Sequence, residues 1–290
     1  AADDDRPVAE VRAQLQAAKA RLFQARESRT RPGVDDKVLL SWNALTLKGL
    51  VDAYITLEEP HYLELAKANL DFLLANMVED FMVYRTHKDG TTKIQGFLDD
   101  YALLIQALLS YYSATFEEDK LQLAYQLQQY VDEHFYDSNI GLYQYTARNN
   151  PALISQKFEV SDNVIASPNS VTALNLYYLG TYFSRQDYRD TAAAMLQAVH
   201  DQWVQNPYFF SNWGVLATHL VDTFYEVAIT GPDAVAKRQQ LAKAFAPHRI
   251  VAGTTQPGSE LPVLQDRYQE DHTQLYVCED SLCQQPTPDP

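Results

Sequence analysis

Two kinds of helical stretch alternate along this chain, and the alternation restricts the folds open to it. VAEVRAQLQAAKARLFQARESR (8–29) puts Val8, Val11, Leu15, Ala18 and Leu22 on one face and charges opposite, the mark of an amphipathic helix. SWNALTLKGLVDAYITL (41–57) differs: only Asn43, Lys48 and Asp52 interrupt an apolar or small surface, so burial on all sides is expected. The same all-round apolar character recurs at 98–116, 167–183 and 211–228, and the amphipathic kind at 61–77, 119–135, 187–204 and 232–246. That gives four buried helices among five amphipathic ones. Within each pair the link is short, such as Glu58-Glu59-Pro60 or Ser184-Arg185-Gln186, as antiparallel helical hairpins require.

The links between pairs are long. FMVYRTHKDGTTKIQGF (81–97) carries two β-prone runs around Asp89-Gly90, and GLYQYTARNNPALISQKFEV (141–160) reads similarly around Asn149-Asn150-Pro151. Inner buried helices alternating with outer amphipathic ones describe an all-α fold, an (α/α) toroid of helical hairpins with short β-hairpins in the long loops. In a four-helix bundle every helix would be amphipathic. After about residue 247 the helices give way to the strand-like HRIVAGTT and TQLYVCED, with QPGSELPVLQ between them and a proline-rich tail, CQQPTPDP, expected to fray. One domain is expected over 1–290, with helical hairpins over about 8–246 and a short β segment over 247–290.

Composition narrows the partners. Of the 290 residues 46% are hydrophobic, too many for a disordered chain. No apolar run reaches the roughly 18 residues that cross a bilayer. A formal net charge of −15 argues against nucleic acid and anionic membranes, and also against phosphorylated ligands, while neutral sugars stay open. The two cysteines, Cys278 and Cys283, form a local clip or a pair of thiols; with only His272 nearby they do not make a zinc site. No metal or other cofactor is expected: the seven histidines are scattered, and there is no glycine-rich phosphate loop, HExxH or GxSxG. The start, AADDDRPVAEV, has no targeting pattern. A cytoplasmic location is expected.

Each buried helix opens on polar or aromatic residues: Asp35, Asp36, Trp42 and Asn43; Asp99, Asp100 and Tyr101; Asn163, Ser167, Asn169 and Ser170; Ser211, Asn212 and Trp213. Each follows a long link, so these starts are expected to converge at one end of the toroid. Helix capping accounts for one such residue per helix. It does not account for paired aspartates or for the neighbouring Trp and Tyr. Aromatic faces beside carboxylates and amides suit a sugar ring, and two carboxylates across a cavity suit acid/base chemistry at an anomeric centre. Asp36 and Asp100 are therefore the catalytic candidates. Asp35, Trp42, Asn43, Asp99, Tyr101, Asn169, Ser170, Asn212 and Trp213 are the candidate substrate contacts, for a small-molecule or oligosaccharide ligand.

Arg26, Arg29, Pro32, Asp35-Asp36-Lys37, Leu39, Trp42-Asn43 and Leu45 together match a stretch R-x-x-R-x-x-P-x-x-D-D-K-x-L-x-x-W-N-x-L. This resembles the thioredoxin-domain proteins related to spermatogenesis-associated protein 20. GFLDDYALLIQALLSYYSATFE, SPNSVTALNLYYLG, LPVLQDR and YVCEDSLC resemble further blocks of that family in the same order, over about 21–285. The resemblance implies a six-hairpin (α/α) barrel, similar to N-acylglucosamine 2-epimerases and glycosidases, with an activity of hydrolase or epimerase type. The family's thioredoxin-like domain and early barrel helices are expected to be absent, and its Ser-Gly-Asn-Ser is Ser167-Pro168-Asn169-Ser170 here. A non-catalytic carbohydrate-binding or protein-interaction module is the alternative. A second copy, the missing N-terminal portion of the same protein, or the C-terminal strands would then close an incomplete, horseshoe-like array.

Overall fold

The computed structural model describes residues 6–150, 156–279 and 282–288. The chain divides into two compact units, residues 1–37 and 38–290, where the sequence reading has one domain over 1–290. The first unit holds α1 (Val8–Glu27), a helix with no buried residue.

The second unit begins with three helical hairpins. These are α2 (Leu40–Leu57) with α3 (Pro60–Met77), α4 (Leu98–Thr115) with α5 (Glu118–Phe135), and α6 (Pro168–Tyr182) with α7 (Gln186–Gln205). Each corner turns on a non-glycine residue in the left-handed region: Glu58 at φ 59°, Phe116 at 61° and Ser184 at 51°. One such residue lets the chain reverse within two or three positions. Local chemistry also fixes the helix starts. Ser167 caps α6 by accepting from Ser170 N–H at 3.1 Å, with Pro168 in the first turn, and Pro60 opens α3.

Helix α4 is buried nearly all round and α6 almost completely, as their apolar surfaces dictate. Helix α2 is buried along one side only; Trp42, Thr46, Gly49, Asp52 and Thr56 are exposed. The inner helices pack in sequence, α2 on α4, α4 on α6, and α6 on α8 (Ser211–Val221).

The long link after α3 is β-structured as expected. After β1 (Val38–Leu39) and β2 (Val78–Glu79), β3 (Met82–Lys88) turns through Asp89-Gly90 into β4 (Thr91–Gln95), and β3 also pairs with β1 and β2. The link after α5 departs from the reading. Its strands are β5 (Tyr136–Asp137) and β6 (Leu142–Tyr143), which pair with each other. The backbone bond from Tyr145 N–H to Lys157 O (2.8 Å) then spans the expected turn, whose Pro151 lies outside the described residues.

The fourth inner helix is corrected. Expected over 211–228, it stops at Val221, and 225–230 is a strand, β7 (Tyr225–Thr230). Thr223-Phe224-Tyr225 and Val227-Ala228-Ile229-Thr230 are rich in β-branched and aromatic residues, which suit a buried strand. Strand β7 runs parallel to β8 (Arg249–Thr254) through α9 (Ala234–Ala242), and antiparallel to β9 (Gln274–Glu279), which pairs with β10 (Leu282–Cys283). The last pair of elements is thus a β-α-β crossover, not a helical hairpin. Cys278 and Cys283 face each other across β9 and β10 and are disulfide-bonded. The tail does not fray at once: Thr287 pairs with Leu275.

This β-α-β segment folds back on the inner helices. Arg238 Nε donates to Ser113 O (2.8 Å), Gln239 Nε2 to Tyr54 Oη (2.8 Å), and Tyr182 Oη to Val251 O (3.1 Å). Of the three ways considered to close the array, the C-terminal segment thus covers part of α2 and α4. Among the described residues, 54% are helical.

Candidate functional site

Every second side chain of β3 shares a face, so the face that sends Val83 into the core also carries Arg85, two positions on, to the start of α4. Arg85 Nη1 lies 3.0 Å from Asp99 Oδ1 and 2.8 Å from Asp100 Oδ2. Asp100 Oδ2 also accepts from Phe97 N–H (3.0 Å), reaching back to the residue before the helix, and Asp100 Oδ1 accepts from Ser41 N–H (3.2 Å) at the start of α2. One carboxylate thereby ties together the first turns of two inner helices. It has no exposed surface. Burial, then the neighbouring Asp99, pushes the Asp100 carboxyl up, against the opposing pull of Arg85 and the two N–H groups. Burial works against the Arg85 charge, but Asp100 and Asp99 outweigh it and keep the guanidinium protonated.

Asp99 differs from its neighbour. Its side chain and that of Arg85 are each 22% exposed. Beside them an aromatic run continues: Arg85 lies over the Phe97 ring at 5.0 Å, and Phe97 stacks on Tyr145 at 5.0 Å and 27°. Burial and the nearby Asp99 raise the Tyr145 phenol.

The starts of α6 and α8 are joined through Asp162. Its Oδ1 accepts from Ser167 N–H (2.9 Å) and the Ser170 hydroxyl (3.0 Å), and its Oδ2 from Asn212 N–H (2.8 Å). Asn212 Nδ2 closes the loop onto Ser170 Oγ (2.9 Å). Asn169 accepts from Tyr143 N–H and donates to the carbonyls of Tyr143 and Glu159, at 2.9–3.0 Å. Trp213 Nε1 donates to Val160 O (2.8 Å).

Asp99, Asp100, Asn169, Ser170, Asn212 and Trp213 are thus all at the starts of inner helices, and backbone bonds 98→145 and 145→157 connect the α4 group with the approach to α6. Their access differs. Tyr101, Asn169, Ser170 and Trp213 are buried, and Tyr101 accepts from Val83 N–H and stacks on Tyr130 at 5.4 Å. These side chains hold helix ends in register and present no surface to a ligand. Asn212 is half-buried, while Asn43 turns back onto Leu39 O (2.8 Å). Trp42 is 60% exposed. Asp35 and Asp36 are exposed and belong to the 1–37 unit, where Asp35 pairs with Lys37 at 3.2 Å.

Sequence reasoning missed Arg85, Phe97, Tyr145 and Asp162. The signal for Arg85 was its β-alternation with Val83; Asp162 sits in a loop with no motif. His219 is buried; its Nε2 lies 3.0 Å from Tyr178 Oη. Among the described residues no cluster of His, Cys, Asp or Glu could hold a metal ion, and no helix is long and apolar enough to cross a membrane.

No family profile matches the chain. It is 29% identical over 301 residues to human spermatogenesis-associated protein 20, covering 97% of this chain and 38% of that protein. It is 31% identical over 193 residues to an uncharacterized protein of Caenorhabditis elegans, covering 64% and 26% respectively. The chain therefore spans well under half the length of these relatives. Among solved structures, the GH76 alpha-mannanase of Bacteroides thetaiotaomicron is similar with a TM-score of 0.52 and 14% identity, covering 87% of this chain and 69% of that one. The chain is similar in sequence to proteins named spermatogenesis-associated protein 20, and its fold resembles that of the GH76 alpha-mannanase.

Proposed function

We propose that this is a carbohydrate-active domain that binds a sugar at the starts of its inner helices and acts on it by acid/base chemistry of hydrolase or epimerase type. The carrying observation is the Asp99–Arg85 pair, partly exposed and flanked by the Phe97 and Tyr145 rings. Asp99 offers acceptors for sugar hydroxyls, Arg85 offers donors, and an aromatic face offers a surface for C–H groups. The likeness to a GH76 alpha-mannanase supports the same reading.

Within it, Asp99 meets the ligand. Asp100, sealed beneath, orients Arg85 and both helix ends. Asp36, exposed in the 1–37 unit, is kept as a separate catalytic candidate. A non-catalytic binding module is favoured by one observation: Asp100 is salt-bridged and spent on helix ends, as a structural anchor would be.

The test is a panel of neutral mono- and oligosaccharides, read by calorimetry for binding and by NMR for turnover. Asp99→Asn is expected to abolish binding with the melting curve preserved. Asp36→Asn is expected to leave that binding unchanged. Binding without turnover anywhere in the panel establishes the module reading. Binding that Asp99→Asn leaves untouched places the site elsewhere.

A further inference from the structure

A cavity of about 640 Å³ lies further along the same helices, from mid-α2 and mid-α4 toward their C-terminal ends, closed by α9 and β8. Four charged side chains line it: Lys48, Arg238, Arg249 and Asp52, three cations against one carboxylate. In a chain of net charge −15 that is a local reversal of sign.

The carboxylate is already engaged. Asp52 Oδ2 pairs with Lys48 Nζ at 2.6 Å. Arg238 is only 6% exposed. Its Nε donates to Ser113 O, but its Nη1 is buried with no hydrogen-bond partner. Arg249 Nη2 donates to the carbonyls of Leu241 and Ala244, at 3.0 and 3.1 Å, which are neutral acceptors. Burial lowers Arg238 to about 10 against the opposing pull of Tyr54, Tyr182 and Asp52, with Arg249 adding a smaller lowering, and burial lowers Arg249 too. A desolvated guanidinium facing another cation and leaving an N–H unmet is costly unless an anion joins it.

We propose that this cavity binds the phosphomonoester of a small molecule, its phosphate seated between Arg238 and Arg249. The four charged groups leave a net charge of +2, which one phosphate dianion neutralises at a single centre, and guanidinium forks match phosphate oxygens. A neutral sugar would leave both arginines uncompensated. The expectation from overall charge, that phosphorylated ligands are disfavoured, does not hold at this local scale, because the long-range field is screened within about 10 Å while these groups line one cavity. The site is independent of the Asp99 mouth.

The test is calorimetric titration at low ionic strength with inorganic phosphate, glucose 6-phosphate, succinate and glucose. Saturable binding of phosphate and glucose 6-phosphate, without binding of glucose, is expected. Arg249→Gln is expected to weaken it at least ~10-fold, the scale of one charged hydrogen bond. Asp52→Asn is expected to tighten it, since a like charge is removed. Opposite signs from two variants cannot come from loosened folding. Asp99→Asn is expected to leave phosphate binding unchanged, so this site and the neutral-sugar mouth stand or fall separately. Absence of saturable phosphate binding, indifference to Arg249→Gln, or succinate binding as tightly as phosphate would overturn the assignment.

Discussion

Asp100 accepts from Ser41 N–H, Phe97 N–H and Arg85 while having no exposed surface, whereas Asp99, one residue earlier, shares the same guanidinium at the edge of solvent. Replacing Asp100 by Asn removes the charge that Arg85 faces and turns an acceptor into an amide donor. The expected cost is about 3 kcal/mol, in the range for breaking one side of a buried ion pair. Asp99→Asn is expected to cost about 1 kcal/mol or less, as for exposed pairs. Urea unfolding of both variants checks the contrast; equal losses would remove the distinction between anchor and ligand contact. His219 gives a pH signature. Burial, then neighbouring His248, lowers it to about 4 from an ordinary 6.5. The unfolded chain therefore takes up a proton where the folded chain does not, so stability is lost as pH falls from about 6.5 through about 4, by up to about 3 kcal/mol. His219→Gln, which keeps a partner for Tyr178, is expected to flatten that part of the profile. An unchanged slope would show that other groups set it.

At the scale of elements, the three hairpins were legible because each inner helix carries more apolar surface than one contact can bury, and each outer helix about half. Helix α8 was not. A helix buried all round and a strand in the middle of a sheet both read as continuous apolar runs, and VDTFYEVAIT satisfies either. The clue was composition: Thr223, Phe224, Tyr225, Val227, Ile229 and Thr230 favour a strand. At the site, residues such as Asp99 and Asn169 stood out because helix starts select them. Their access could not be read, since burial depends on segments 143–150 and 156–162 and on β3, which lie outside the helices themselves. For Arg85 the alternation with Val83 gave an inward face but not the carboxylates it would meet there. The sheet also depends on Gly231, which ends β7 at φ 130°; a Cβ there would meet His272 O at 2.6 Å. Gly231→Ala combines backbone strain with a clash against His272 and Thr273, just before β9, and a loss of about 2–4 kcal/mol is expected. Hydrogen exchange is expected to rise first in β7 and β9. A melting curve like that of the parent would mean the turn relaxes freely.

For the whole molecule, every member of the hydrophobic core lies between Leu40 and Leu275, within the 38–290 unit. A chain of residues 38–290 is accordingly expected to fold cooperatively, with the near-ultraviolet circular dichroism of a packed core; a molten spectrum would show that the core needs residues 1–37. The outer flanks of the first and last inner helices differ in character. The open side of α2 carries Thr46, Gly49, Asp52 and Thr56 beside Trp42, a mostly polar or small surface. Around α8, by contrast, Tyr208 (86%), Val215 (43%) and Val221 (84%) are exposed. An apolar edge of this kind favours association when several such residues adjoin, whereas single ones are ordinary. We therefore expect concentration-dependent self-association by sedimentation, carried by the α8 edge. The double substitution Val215→Lys with Val221→Lys is expected to suppress it and leave the melting temperature unchanged, because neither side chain belongs to the core. Association that persists in this variant would move the interface to another face. A strictly monomeric parent chain would show that the α8 edge is tolerated in water.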